Sequence, residues 1–203
     1  MRVLLLDTSV GRPFFAYSAD FYDISFLKEL PDKEGLDSLG DFVRGLDYPP
    51  EMIGVCKGPG RFSSLRQGVA YGLGIAHSLR IPILGWSTTE AFVPRENGVF
   101  TVCIAVSKRE GFICLRELVD GEVRTLVEPK VVGVKEIFDF CKGYGSRKIL
   151  CPNKGFFENI PDDITVDVVV PNFSRVLSLL KSQWERGAAE NSLELDYSGP
   201  SPF

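Results

Sequence analysis

Between Met52 and Leu79 the chain reads as a strand, a glycine-proline-glycine turn and a helix, and no other stretch limits its folds as much. The apolar run Met52 to Cys56 has the length and composition of a buried strand. It stops at Gly58-Pro59-Gly60, residues that tolerate or fix special backbone angles. A helical pattern follows over 63–79, with Ser63 or Ser64 placed to cap it by accepting its first free N–H groups. A strand, a tight loop and a helix N-terminus then converge on one spot, which suits an anion or another backbone approaching closely. Both readings stay open from the residues alone. The loop lacks the Gly-Lys-Ser/Thr of a Walker A motif and the Gly-x-Gly-x-x-Gly of a dinucleotide fold.

The elements around it alternate in a defined order. Residues 2–7 read as a buried strand. Phe14 to Tyr17 and Tyr22 to Phe26 read as two more, with Ser18-Ala19-Asp20 turning between them. Lys33 to Leu46 carries Leu36, Leu39, Phe42, Val43 and Leu46 at helical spacing. Strand 52–56, helix 63–79 and strand 82–86 complete a first unit, expected over 1–96. In a second unit, expected over 97–203, strands are predicted at Phe100–Val106, Gly111–Leu118 and Glu122–Val127, with Asp120-Gly121 as a hairpin turn. A short helix at Val134–Cys141, strands at Lys148–Cys151 and Asp167–Val170, and a last helix at Ser174–Ala189 follow. Leu195 to Phe203 reads as an extended tail. No sequence repeat is visible. Three strands, helix, strand, helix, strand is the order of an actin-like ATPase lobe, so the expected fold class is α/β, actin-like (ribonuclease H-like), in two lobes with mixed sheets and flanking helices. Order alone does not establish ATP binding.

Composition removes several function classes. With 203 residues, 44% of them hydrophobic, the chain can bury a sizeable core. No apolar run approaches the roughly 20 residues needed to span a bilayer, so no membrane association and a cytoplasmic location are expected. The net charge of −4 is no magnet for nucleic acid, and any RNA would be met only indirectly. The five cysteines, Cys56, Cys103, Cys114, Cys141 and Cys151, sit singly in apolar surroundings and read as buried free thiols. The single histidine, His77, excludes a zinc site built on two or three histidines and sits mid-helix, where it reads as an ordinary helix-surface or interface residue. No metal site is expected, and no activated nucleophile or carboxylate pair stands out. Asp7, after the first strand, can cap its own turn or serve as a metal–phosphate carboxylate. Arg66 can pair with a carboxylate or reach an anion at the loop.

In helix 63–79 the small residues Gly68, Gly72 and Ala76 recur every four positions, with Gly74 beside them. Each helical glycine costs roughly 1 kcal/mol relative to alanine. Such a stripe lets a backbone approach closely, either the unit's own sheet or first helix, or a partner helix.

Gly58-Pro59-Gly60-x-Phe62-x-x-Leu65-Arg66-x-Gly68-Val69-Ala70 resembles the Gly-Pro-Gly-Ser-Phe-Thr-Gly-Leu-Arg-Ile-Gly-Val-Ala signature of the TsaB (YeaZ) family. Arg2 to Ser9 is similar to that family's opening strand and Asp-Thr-Ser loop, and Ile81 to Thr88 to the strand after its second helix. The resemblance is sharp over 1–9 and 52–90. It implies a non-catalytic scaffold that binds TsaD, the subunit forming N6-threonylcarbamoyladenosine (t6A) at position 37 of tRNAs reading codons that begin with A. TsaD and a TsaE-like ATPase are the implied partners, and a homodimer is implied when the chain is alone. The implied interface is the first two helices, here Leu36, Leu39, Phe42, Val43, Gly68, Gly72 and Ala76. Asp7, Thr8, Ser9, Gly58, Gly60 and Arg66 would form any anion or nucleotide loop. No cofactor is implied apart from ATP or ADP at the partner interface.

The chain departs from the family pattern at several points. It lacks a histidine in Phe26 to Gly35. Arg61 replaces the usual serine and Ser64 the usual glycine. The second-lobe motif is reduced to Ser107 to Phe112, and the closing motif becomes Leu195 to Gly199. A rival reading is a nucleotide-dependent kinase or ATPase of the same superfold, which needs a second phosphate loop; Cys141-Lys142-Gly143-Tyr144-Gly145 is its one candidate. A glycoprotease reading lacks a His-x-x-x-His pair.

Overall fold

The computed structural model describes residues 1–10, 12–30, 37–188 and 193. Packing divides the described residues into one unit of Met1–Thr88 with the last helix and another of Thr89–Pro171. The expected cut at 96 differs in two respects: the second unit begins at Thr89, and the last helix packs with the first unit.

The first unit is a five-stranded mixed sheet. Strands β1 (Val3–Asp7), β2 (Phe14–Ser18) and β3 (Phe26–Glu29) form an antiparallel meander, and β4 (Met52–Gly58) and β5 (Ile83–Ser87) add in parallel, giving the order β3-β2-β1-β4-β5. Parallel neighbours need crossover helices. These are α1 (Asp37–Arg44) and α2 (Phe62–Leu79). One face of the sheet packs on them through Leu4, Leu6, Ile53, Val55 and Ile83 with Leu39, Val69 and Ala76. The other face meets α4 (Phe173–Glu185): a Cβ on Gly54 would lie 2.5 Å from Leu180 and 2.6 Å from Leu5.

The second unit repeats this topology. Strands β6 (Gly98–Ala105), β7 (Glu110–Val119) and β8 (Glu122–Gly133) form the meander, and β9 (Lys148–Cys151) and β10 (Thr165–Val168) add in parallel, in the order β10-β9-β6-β7-β8. Helix α3 (Ile137–Gly143) covers a core of Cys103, Ile113, Cys141, Ile149 and Cys151. Two mixed sheets with flanking helices are the actin-like architecture the order of elements predicted.

Several boundaries moved. The third strand, expected at Tyr22–Phe26, begins at Phe26. The Asp20 carboxylate accepts the Tyr22 and Asp23 N–H groups at 2.8 and 3.0 Å, and Phe21 turns left-handed at φ 71°, so the turn consumes residues 19–25. The third strand of the second unit runs on to Gly133 past Pro129, which an edge strand tolerates because its free side needs no N–H. Its last strand begins two residues early, at Thr165. The Asp120-Gly121 turn forms as expected, with φ 50° and 85°. The start of the first helix, Leu36, Gly11 and the tail from Leu195 lie outside the described residues.

Candidate functional site

Strand β1 ends in a loop that folds back on itself. Asp7 Oδ1 accepts the Ser9 N–H at 2.8 Å and the Ser9 hydroxyl at 2.6 Å, and Asp7, Thr8 and Ser9 are all buried. This is the turn-capping role of an aspartate. Burial pushes the Asp7 carboxyl above its ordinary range, partly offset by the bonds from Ser9 and by the Cys56 thiol. The Thr8 hydroxyl donates to the Ser64 carbonyl at 2.8 Å.

The glycine turn lies directly on that loop. A Cβ on Gly60 would stand 2.6 Å from the Ser9 carbonyl oxygen and 2.9 Å from its Cα. Gly58 has φ 115°, a conformation L side chains rarely adopt, and the Gly58–Pro59 peptide is cis. Thr88 donates its hydroxyl to the Pro59 carbonyl at 2.6 Å and lies 3.1 Å from Cys56 Sγ. The Asp7–Ser9 and Gly58–Gly60 loops touch, a close approach of one backbone to another.

The cap of α2 corrects an expectation. Its N-cap is Arg61, not Ser63 or Ser64, and the Arg61 side chain makes no capping bond. Ser64 instead offers its carbonyl to Thr8. Arg66 is exposed, with its guanidinium 5.2 Å from the Phe62 ring centre. No acidic residue occupies the first turn of α2.

The small-residue stripe points inward. A Cβ on Gly68 would lie 2.3 Å from Thr8 Oγ1, and one on Gly72 3.3 Å from Ile83 and 3.6 Å from Ile53 and Leu6. Gly68, Gly72, Ala76 and Leu39 are buried, so these four interface candidates sit in the core of the first unit. Phe42 and Val43 are half-buried against the same core, Phe42 stacked 4.7 Å from Phe26. The outward face of α2 carries Ser63, Gln67, Ala70, Gly74 and His77, all exposed. A Cβ on Gly74 meets nothing within 4 Å. Sequence periodicity alone does not say which of two small faces looks out.

The rival phosphate loop at Cys141–Gly145 is a helix C-cap. The N–H groups of Tyr144, Gly145 and Ser146 bond the Phe140, Lys142 and Cys141 carbonyls at 3.2, 3.1 and 2.9 Å. Those donors are spent on the helix. All five cysteines are free and buried. Among the described residues, no group of three or more His, Cys, Asp or Glu side chains could hold a metal ion, and no helix is long and apolar enough to cross a membrane.

Residues 49–166 match the family model described as TsaD, tRNA N6-adenosine threonylcarbamoyltransferase. The fold matches an uncharacterized Pseudomonas aeruginosa protein with similarity to peptidase YEAZ at a TM-score of 0.75 and 19% identity, over 98% of this chain and 99% of that one. It matches YeaZ from Pseudomonas aeruginosa at a TM-score of 0.74 and 19% identity, over 97% and 99%. At that identity the likeness is one of fold.

Proposed function

From the premise that the chain belongs to the tRNA N6-adenosine threonylcarbamoyltransferase (TsaD) family, we propose that it is a non-catalytic subunit of t6A formation, of the TsaB type, which acts by binding a TsaD-like paralogue. The observation that carries this reading is the state of the signature loops. The Thr8, Ser9 and Thr88 side chains are buried and bonded to neighbouring protein groups, and Asp7 caps its own turn through Oδ1, an arrangement that fits a structural role for both loops. The near-complete two-way coverage of YeaZ supports the same reading, because the chain spans that fold without a large added element.

The partner surface we infer is the outward face of α2, with Gln67, Ala70, Gly74 and His77, beside Phe42 and Val43 of α1. Small side chains at 70 and 74 let a second helix approach closely. A TsaE-like ATPase would join the assembly through the paralogue, tRNA would be met only there, and ATP or ADP would sit at that interface. In the absence of the paralogue the same face would pair two copies of the chain in the cytoplasm.

Co-expression with the TsaD-like paralogue, followed by size exclusion with light scattering, tests this. The expected result is a one-to-one complex that Gly74→Arg abolishes while the variant stays folded. Gly72→Arg is unsuitable as a probe, since it would break the first core. A wild-type chain that stays uncomplexed at micromolar concentration and binds ATP in titration would favour the kinase reading instead.

A further inference from the structure

At the end of the first sheet opposite the glycine turn lies a cavity of about 360 Å³, where the start of β1, the end of β2 and the chain after α1 come together. Arg2, Tyr17, Ala19, Leu46, Asp47 and Tyr48 line it. Several bonds fix its walls. The Tyr17 hydroxyl donates to the Tyr48 carbonyl at 2.8 Å, and Tyr17 is only 7% exposed. Pro49 follows Tyr48 and disfavours a helical backbone there. Arg2 Nε donates to the Pro49 carbonyl at 2.8 Å, and Arg2 Nη2 lies 3.0 Å from Glu51 Oε1. Groups held in place in this way lose little freedom when a ligand arrives.

The charges at the cavity do not cancel. Arg2 is balanced by Glu51, whereas the Asp47 carboxylate has no hydrogen-bond or ion-pair partner among the described residues. The neighbouring Tyr48 ring is 68% exposed, and it already takes one cation, the Arg2 guanidinium 5.8 Å from its centre. A free carboxylate beside an open aromatic ring suits a cation, and the Ala19, Leu46 and Tyr17 side chains suit an alkyl stem. An anion would be repelled by Asp47, and a purely apolar ligand would bury that carboxylate unpaired. We infer that this cavity binds a guanidinium or ammonium group carried on a short alkyl chain, its head on the Asp47 carboxylate and the Tyr48 ring. A free organic cation and a basic side chain of another protein share that chemistry. The site has no residue in common with the glycine loops or the α2 face, so its test is independent of the function proposed above.

Titration of the nitrogen-15-labelled full-length chain with butylguanidinium, followed by NMR, tests this, with butylurea as the uncharged control of the same shape. The expected result is saturable shifts of the Tyr17, Ala19, Asp47 and Tyr48 amides with butylguanidinium and none with butylurea. Asp47→Asn should weaken binding roughly fivefold, the contribution of one exposed ion pair. No saturation up to roughly 50 mM, equal shifts from butylurea, or equal affinity in Asp47→Asn would each overturn the assignment. Agmatine and N-acetylarginine amide carry the same head group and separate the two sources. Tighter binding of agmatine assigns the site to a free cation, and binding of N-acetylarginine amide at least as tight assigns it to a side chain of another protein.

Discussion

Three single residues of the first unit carry predictions of their own. Gly68 faces Thr8 so closely that Gly68→Ala must displace the threonine side chain and break its bond to the Ser64 carbonyl. We expect a loss of about 1–3 kcal/mol in denaturant unfolding, the usual cost of overpacking. Gly74→Ala, on the same helix but in open space, should instead stabilise by roughly 0.5–1 kcal/mol through better helix propensity. Equal effects at the two positions would sink the inward and outward assignment of the α2 faces. Asp7 gives a pH prediction. Its folded carboxyl holds its proton to higher pH than the unfolded one, so the group's contribution to stability is fully present below the unfolded value, about 3.9, and falls as pH rises through the folded value. Asp7→Asn keeps the acceptor for both Ser9 bonds and removes the charge. Its melting temperature relative to wild type should therefore rise between pH 4 and pH 8; a pH-independent difference would show that burial does not perturb Asp7.

At the scale of elements, α4 is the informative one. Its amphipathic stripe, with Val176, Leu177, Leu180 and Trp184 at helical spacing, is readable from the sequence, but the sheet it serves is not. Leu180 is fully buried against Gly54, Phe173 lies 6.0 Å from Phe14, and Lys181 covers the Tyr22 ring at 3.7 Å, all within the first unit. Leu180→Ala should cost about 2–5 kcal/mol, and amide hydrogen exchange should locate the loosened backbone in β1, β4 and β5. Protection lost only in β6 to β10 would place the helix on the wrong sheet. The Asp20 turn shows the opposite limit: the aspartate advertises a turn, but its length depends on Phe21 accepting φ 71° and burying its ring.

On the scale of the whole molecule, two sheets of one topology each enclose cysteines, and this makes a chemical prediction. Burial pushes every thiol up, Cys114 and Cys151 to about 11, so thiolates are scarce near neutrality. Ellman's reagent should titrate none of the five in the native chain and five after denaturation; fast reaction of a native thiol would locate an opening in one core. The sequence by itself determined the strands, helices and turns whose signals are local: the apolar run and glycine turn at 52–60, the Asp120-Gly121 hairpin, and the isolation of each cysteine among apolar residues. It also determined the family, because its motifs lie within continuous stretches. Tertiary structure alone decided the rest: the duplicated topology that no sequence repeat betrays, the return of α4 to the first sheet, the inward turn of Gly68 and Gly72, and the contact of Gly60 with Ser9. Gly54 with Leu180, Gly68 with Thr8 and Gly60 with Ser9 are more than 40 positions apart and meet only in space, and a periodicity fixes which residues share a face without fixing what that face will meet.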